Sequence, residues 1–375
     1  MPKEPKRIIV FYINEYGGHS RAALNIKEAF EYRHSNLEVL GINGLGYFYP
    51  RGEKVVDFAY STVIKHIPSF WGRIYDRKRI IKKLTPFQAL VNRVAFRKLI
   101  QLIKRFSPSC FVATQAFPCG VVADFKEKYG LKIPLIAVVT DYLPHRFWIH
   151  PAVDKYVVAC HEAKNILIRE GVKEEKIDIL GIPISVNFLN SYPRKDIASE
   201  LGFVADLSSV LVMGGGWGLG PLEEIARELD ELESNLQIIA VCGRNQKAYD
   251  WFVSNKHNFK KPVFPFGYID YVNKLMDFSD IIITKAGGIT VSEALAKGLA
   301  MIITNPIPGQ EERNVNYLLQ KEAILKVDGA FQIKEAVKEL MEDKKSMYHL
   351  KERAKHISFI DSSLRIVDLV LKTMS

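Results

Sequence analysis

The strongest constraint on the fold is an alternation of short apolar runs with helix-like segments along most of the chain. The apolar runs lie at residues 7–13, 37–41, 110–114, 134–140 and 155–158 in the first half, and at 209–213, 237–242, 263–266, 280–284 and 301–304 in the second. Short strands that are apolar throughout are typical of parallel sheets covered by helices on both faces. A chain of 375 residues is too long for a single ordinary hydrophobic core. The sequence therefore predicts an α/β protein with two doubly wound, Rossmann-like domains.

The boundary between the two predicted domains falls in a polar stretch near the middle of the chain. We expect a first domain over residues 1–184, a linker over 185–207 and a second domain over 208–360. The final segment, 361–375, predicts a helix that packs on either domain. Two open parallel sheets would face a central cleft with the carboxyl ends of their strands, where such folds bind ligands.

Composition excludes several classes of protein. The four cysteines are scattered and form no C-x-x-C pair, so neither a metal nor a redox centre is expected. No apolar window approaches the ~18 residues of a membrane-spanning helix. The basic first residues lead straight into a strand, so we expect no secretory signal and a cytoplasmic location.

The segment 284–293, TKAGGITVSE, follows an apolar strand and opens a helix. Gly287 and Gly288 let the backbone approach a ligand closely, and the N–H groups of a helix start favour an anion such as a diphosphate. Glu293 is placed to accept hydrogen bonds from the hydroxyls of a ribose. Alternatively, Thr290 and Glu293 form a capping box that serves only the helix itself.

Other loops of the second half also follow predicted strands. Residues 213–221, MGGGWGLGP, form a second glycine-rich turn before a helix, and they match neither the dinucleotide fingerprint nor the phosphate-binding ATPase loop. Tyr268 closes a further strand and can lie along a base. Residues 305–314 offer amide and carboxylate groups at a helix start, which suits sugar hydroxyls. Together these loops predict a nucleotide-sugar site in the second domain.

The first half carries polar groups at equivalent positions. His19 lies in a glycine-rich turn after the first strand, where Ser20 is expected to cap the next helix. A cluster that contains Asp141, His145, Trp148 and His150 follows the strand at 134–140. Imidazole and carboxylate groups at strand ends suit a general base, so this half predicts an acceptor site.

The positive charge is concentrated in one window. Residues 60–110 hold twelve Lys or Arg and one acid, a net charge of +11 against +10 for the whole chain. Aromatic and aliphatic residues, including Phe70, Trp71 and Phe96, lie between the basic ones. This mixture favours docking on an anionic bilayer over nucleic-acid binding or a solvated helix face, which usually carries both signs of charge.

These motifs together resemble the glycolipid-forming GT-B glycosyltransferases, namely the monogalactosyldiacylglycerol synthases and the bacterial diacylglycerol glucosyltransferases. The residues that carry the resemblance lie at 17–23, 139–156, 181–184, 285–296 and 306–314, so it spans essentially the whole chain. It implies inverting transfer of a hexose from UDP-glucose or UDP-galactose to a lipid hydroxyl, foremost that of diacylglycerol. It also implies that Glu293 both caps its helix and binds the ribose.

The resemblance implies the following site residues. The catalytic candidates are Asp141 and His19 as alternative bases, with His145 in support. The donor-binding candidates are Gly215, Gly216, Trp217, Tyr268, Lys285, Gly287, Gly288, Thr290, Glu293, Gly309, Gln310 and Glu311. The candidates for the acceptor and the membrane are Gly18, Trp148, His150, Phe70, Trp71, Arg77, Lys78, Arg79, Lys82 and Lys83.

No cofactor or metal is expected, because no two aspartates stand at the D-x-D spacing that would hold a divalent cation on a diphosphate. The expected location is the inner face of the cell membrane, bound peripherally. Two alternatives stay open: a UDP-sugar 2-epimerase of the same architecture, and a non-catalytic protein that binds lipid or nucleotide. The sequence leaves the donor hexose, the lipid acceptor, the number of sugars added and the oligomeric state undecided.

Overall fold

A computed structural model describes residues 6–14, 17–34, 37–50 and 85–374, with side chains described from residue 94 onward in the last range. Contacts divide the chain into two compact units. The first contains residues 1–186, 308–310 and 361–375, and the second contains residues 187–307 and 311–360. Each unit is built around one parallel six-stranded sheet.

The first sheet has the strand order β2-β1-β3-β4-β5-β6. Its strands are β1 (Arg7–Tyr12), β2 (Glu38–Asn43), β3 (Cys110–Ala113), β4 (Leu135–Val138), β5 (Lys155–Val158) and β6 (Ile177–Ile179). Both β3 and β4 are buried along their whole length, as expected for central strands covered on both faces. The carboxyl ends of β1, β3 and β4 therefore lie side by side at one edge of the sheet.

The helices of the first unit surround this sheet. They are α1 (Gly18–Arg33), α2 (Gly44–Phe48), α3 (Thr85–Phe106), α4 (Ala116–Tyr129) and α5 (His161–Arg169). The C-terminal helix α14 (Ser362–Thr373) belongs to this unit and packs on α1. The Ser362 hydroxyl donates to the Ile182 carbonyl at 2.9 Å, and Arg33 forms an ion pair with Asp368.

The second sheet has the order β12-β11-β10-β7-β8-β9. Its strands are β7 (Ser208–Met213), β8 (Leu236–Val241), β9 (Val263–Phe266), β10 (Ile281–Thr284), β11 (Ala300–Ile303) and β12 (Leu325–Lys326). The chain winds outward from β7 in one direction and from β10 in the other. The crevice between β7 and β10 is thus the switch point at which open α/β sheets bind ligands.

The helices of the second unit cover both faces of its sheet. They are α6 (Arg194–Leu201), α7 (Leu222–Asp230), α8 (Gln246–Asn255), α9 (Val272–Phe278), α10 (Gly288–Ala296), α11 (Gln310–Gln320), α12 (Ala330–Glu342) and α13 (Lys344–His356). Strand residues such as Val210 and Ile283 pack with Leu229 and Val337 in a continuous buried core.

Three features of the structure differ from the sequence prediction. Strands β6 and β12 have no predicted counterpart, because runs of three and two residues are too short to show periodicity. A helix, α6, lies inside the segment expected to be a linker. Ser20 does not cap α1, since the helix begins at Gly18 and the Ser20 hydroxyl donates backwards to the Gly17 carbonyl at 2.8 Å.

The described part of the basic window is a helix whose apolar face is used inside the protein. Phe96 of α3 is buried and packs edge-on against Phe125, with ring centroids 5.3 Å apart. Arg97, Lys104 and Arg105 are exposed. Phe96 is therefore a core residue and not part of a membrane-facing surface. Among the described residues, no helix is both long and apolar enough to cross a membrane.

Candidate active site

His19 lies at the carboxyl edge of the first sheet, where its side chain is partly buried. Its Nδ1 lies 3.0 Å from the Thr114 carbonyl oxygen and 2.8 Å from the Thr140 hydroxyl. Because a carbonyl oxygen only accepts, the geometry assigns the proton of the neutral ring to Nδ1. Nε2 is then left with its lone pair, which is the form that a general base requires.

Burial also sets the ionisation of His19. It lowers the pKa of the imidazole from 6.5 to about 4, although the hydrogen bond to the Thr114 carbonyl acts in the opposite direction. The ring is therefore neutral at physiological pH. The sequence pattern indicates His19 but not Thr114 and Thr140, although each of the two threonines is the last residue of a predicted strand, which was the available signal.

The polar cluster that follows β4 contains two buried residues, Asp141 and Trp148, and two half-buried histidines, His145 and His150. Asp141 is 5% exposed and adjoins Thr140, the partner of His19. Trp148 is buried in the core of the first unit, with the His145 ring packed at a centroid distance of 6.1 Å. Trp148 therefore does not present its indole to solvent.

His150 has partners on both ring nitrogens. Its Nε2 lies 3.1 Å from Asp124 Oδ1, and its Nδ1 accepts from the Ala152 N–H at 3.1 Å. The backbone of His150 is tied to the Tyr156 hydroxyl in both directions. These bonds give His150 a role in holding the loop. Gly18, the first residue of α1, is exposed.

In the second unit, α10 begins at the switch point directly after β10. Gly287 is its N-cap and carries no side-chain cap, so the first turn presents backbone N–H groups at the carboxyl edge of the sheet. Thr290 lies inside the helix, two residues after Gly288. The capping-box interpretation, and with it the capping role of Glu293, is therefore wrong. Glu293 is 5% exposed, in the second turn.

Lys285 and Glu311 form an ion pair beside this helix start. Lys285 Nζ donates to Glu311 Oε1 at 2.9 Å, and the Ile307 N–H donates to Glu311 Oε2 at 2.9 Å. The Glu311 side chain is 11% exposed. One turn further along α11, Asn314 donates to the Ala286 carbonyl at 2.9 Å. Helix α11 thus holds the 285–287 turn at two points.

The glycine-rich loop between β7 and α7 is packed backbone against backbone. Gly218 has a φ of +59°, and a Cβ there would lie 1.8 Å from the Cys242 carbonyl oxygen. Gly215 has a φ of +69°, and a Cβ there would lie 3.3 Å from Lys285 Cε. Gly216 accepts from the Arg244 N–H at 3.0 Å. The loop is therefore fixed in shape and lies directly against Lys285.

Two aromatic side chains in this part of the second unit are exposed, one within the loop and one after β9. Trp217 is 44% exposed, and Tyr268 is 52% exposed with the Arg244 guanidinium 5.1 Å from its ring centroid. Arg244 joins the two regions, because its backbone bonds to Gly216 and its side chain stacks on Tyr268. Sequence reasoning missed Arg244, which carries no motif.

A small cavity lies beneath the glycine-rich loop, between β7, β10, β11 and the start of α7. Thr284 and Thr304 line it together with Lys285 and Asn305. The hydroxyls of Thr284 and Thr304 are buried, and within the described part of the chain neither has a hydrogen-bond partner. A buried hydroxyl without a partner is costly, so these groups favour a polar occupant.

The remaining predicted residues fall in two places. Gly309, with a φ of +96°, precedes Gln310, the first residue of α11. The membrane candidates Phe70, Trp71, Arg77, Lys78, Arg79, Lys82 and Lys83 lie outside the described residues. Over the ranges that the structure describes, no three His, Cys, Asp or Glu side chains are grouped so as to hold a metal ion.

Solved structures share this architecture across nearly the whole chain. MurG of Acinetobacter baumannii superposes with a TM-score of 0.63 at 15% identity, covering 98% of this chain and 100% of its own. The UDP-GlcNAc 2-epimerase of Neisseria meningitidis gives 0.63 at 14% identity, with coverages of 98% and 100%. Anabaena HepE, solved with UDP, gives 0.58 at 13%, with coverages of 98% and 100%. The fold is thus that of the GT-B proteins, and fold alone does not separate transferase from epimerase.

Sequence comparison distinguishes the transferases from the epimerases. Residues 19–184 match the monogalactosyldiacylglycerol (MGDG) synthase family, and residues 209–365 match the glycosyltransferase family 28 C-terminal domain. The processive diacylglycerol beta-glucosyltransferase of Bacillus cytotoxicus is 30% identical, over 99% of this chain and 95% of its own. Its namesake in Bacillus subtilis (strain 168) is 30% identical, with coverages of 98% and 95%.

These matches define a glycosyltransferase. The chain belongs to the MGDG synthase family with a family 28 C-terminal domain, and it is a hexosyltransferase.

Proposed function

We propose that this enzyme transfers a hexose from a UDP-sugar to the hydroxyl of diacylglycerol, with inversion at the anomeric carbon. The relationship to the diacylglycerol beta-glucosyltransferases over the full chain carries this proposal. A β-linked product from an α-linked donor requires inversion, which suits a single displacement. The relatives' names favour glucose as the donor hexose, and the name of the matching family favours galactose.

His19 is the proposed general base. Its Nδ1 is committed to the Thr114 carbonyl, so Nε2 is the atom that takes the proton from the acceptor hydroxyl. The oxygen then attacks the anomeric carbon while the bond to the diphosphate breaks. Asp141, buried beside Thr140, is the proposed supporting carboxylate and the alternative base.

The second unit is the proposed donor site. Glu293 binds the ribose hydroxyls, and the N–H groups at the start of α10 face the diphosphate. Lys285 supplies a cation against the charge that develops on UDP as it leaves. Gln310 is the proposed contact to the hexose. A protein cation and a helix N-terminus together supply the stabilisation that a metal ion gives in other transferases, so we propose a metal-independent reaction.

The acceptor is proposed to be reached at a membrane surface. The net charge of +11 in residues 60–110 supports docking on an anionic leaflet, and each basic residue near such a surface contributes about 1 kcal/mol. Since Phe96 is committed to the core, the inserting aromatic residues of this proposal are Phe70 and Trp71.

A product assay tests the proposal against its rivals. Purified enzyme is incubated with UDP-glucose or UDP-galactose and diacylglycerol vesicles, and the lipids are analysed by mass spectrometry. We expect a hexosyl-diacylglycerol with one of the two donors. An epimerase would convert a UDP-N-acetylhexosamine without lipid, and a binding protein would bind UDP without forming product. Either of these results would contradict the proposed function.

A further inference from the structure

Glu311 has its two carboxylate oxygens occupied by the protein. Oε1 accepts from Lys285 Nζ and Oε2 accepts from the Ile307 N–H, each at 2.9 Å. Ile307 stands between Pro306 and Pro308, which have no N–H, so its amide is the one donor that the backbone offers across these three residues. The carboxylate therefore joins two loops that follow neighbouring strands, β10 and β11.

The Lys285 side chain lies between this carboxylate and the glycine-rich loop. Its Cε is 3.3 Å from the position of a Cβ at Gly215, and it lines the cavity that contains the Thr284 and Thr304 hydroxyls. A free lysine loses up to about 2 kcal/mol of side-chain entropy when it is fixed. Because the ion pair with Glu311 already fixes the Lys285 side chain, this entropy is lost before any ligand binds.

The turn before α10 is also anchored by a residue other than Glu311. Asn314, which is 1% exposed, bonds the Ala286 carbonyl from the next turn of α11. A change at Glu311 that releases Lys285 therefore leaves the Asn314 bond, which holds the backbone directly before Gly287.

From this arrangement we propose that Glu311 is a positioning residue, which holds the Lys285 ammonium toward the donor diphosphate and does not itself contact the hexose. This inference rests on the proposed donor site and differs from the sequence prediction, in which Glu311 meets sugar hydroxyls. An ammonium has three donors. Glu311 uses one of them, and the others remain for phosphate oxygens.

The test is the substitution Glu311→Asp, which keeps the charge and removes one methylene. The shorter side chain cannot reach Lys285 Nζ and the Ile307 N–H at once. Keeping the charge matters, because Glu311→Gln would also remove a negative charge near the diphosphate and strengthen phosphate binding for an unrelated reason. Glu312→Asp, an exposed neighbour on the same helix, is the matched control.

Calorimetry compares uridine, UMP and UDP on each variant. For Glu311→Asp we expect UDP to bind about 5- to 30-fold more weakly, the factor that corresponds to the lysine's side-chain entropy. Uridine should bind as in the parent enzyme, and Glu312→Asp should bind all three ligands normally. In a Lys285→Met background, Glu311→Asp should have almost no further effect on UDP, because the residue acts through Lys285.

Two results would overturn the inference. One is normal UDP affinity in Glu311→Asp with a raised KM for the UDP-sugar, which would place Glu311 on the hexose. The other is an equal loss of UDP affinity with and without Lys285. Failure of the donor site itself would be seen separately, as a parent enzyme that binds UDP no more tightly than uridine.

Discussion

The substitution His19→Asn removes the proposed base and keeps the hydrogen bond to the Thr114 carbonyl. The asparagine amide N–H can replace Nδ1–H as donor to the Thr114 carbonyl, but asparagine has no basic nitrogen that could accept the proton of the acceptor hydroxyl. Turnover should fall by ~10²–10⁴, the usual contribution of a general base, while calorimetry should show unchanged UDP affinity. Near-normal turnover would move the base assignment to Asp141.

The same variant tests the burial of the ring through the pH dependence of stability. The pKa of His19 falls from 6.5 to about 4 on folding, so below pH 6.5 the unfolded state binds more protons than the folded state. Stability is therefore lost as the pH falls from 6.5 towards 4. The loss is about 2 kcal/mol at pH 5 and approaches about 3 kcal/mol at complete protonation.

Urea unfolding at pH 8, 6 and 5 measures this effect directly. The parent enzyme should lose about 2 kcal/mol more than His19→Asn between pH 8 and 5, since other titrating groups are common to both. Parallel pH profiles for the two proteins would refute the argument. They would mean that His19 is protonated as easily in the folded state as in the unfolded chain.

Three further predictions concern other parts of the chain. Glu293→Gln should weaken UDP binding by roughly 1.5–3 kcal/mol in calorimetry, and unchanged affinity would remove it from the ribose site. Arg194→Met should lower the free energy of unfolding, measured in urea, by about 3 kcal/mol, because the Arg194 guanidinium donates hydrogen bonds to the carbonyls of Ala205, Leu207 and Phe278. A loss below ~1 kcal/mol would contradict this. The third variant changes five basic residues to Ser, namely Arg77, Lys78, Arg79, Lys82 and Lys83. It should lose salt-sensitive binding to anionic liposomes and keep UDP binding. Unchanged co-sedimentation with the liposomes would refute membrane docking.

The sequence predicts the sheets well because central parallel strands are continuously apolar. Ten of the twelve strands in the described ranges correspond to runs such as 110–114 and 280–284. The two exceptions, β6 and β12, lie at sheet edges and have too few residues for a pattern. The sequence misplaces the start of α10 because the capping glycine gives no side-chain signal, whereas Thr290 and Glu293 have the spacing of a capping box by coincidence.

The candidate site is less accessible to sequence reasoning because its contacts join distant residues. His19 meets Thr114 and Thr140 across 95 and 121 residues, and those contacts depend on the order of strands in the sheet. Lys285 and Glu311 are 26 residues apart, and no local pattern pairs them. Residue types at strand ends indicate where a site lies, while tautomers, ion pairs and buried hydroxyls require the packed structure.

The most direct test of the central claim is the anomeric configuration of the lipid product. The enzyme is supplied with ¹³C-labelled UDP-glucose, or UDP-galactose if that is the active donor, together with diacylglycerol, and the glycolipid is examined by NMR. Inverting transfer predicts a β-glycoside, recognised by the large coupling between the protons on C1 and C2. An α-glycoside would contradict the single displacement, and labelled sugar that never appears in lipid would contradict glycolipid synthesis itself.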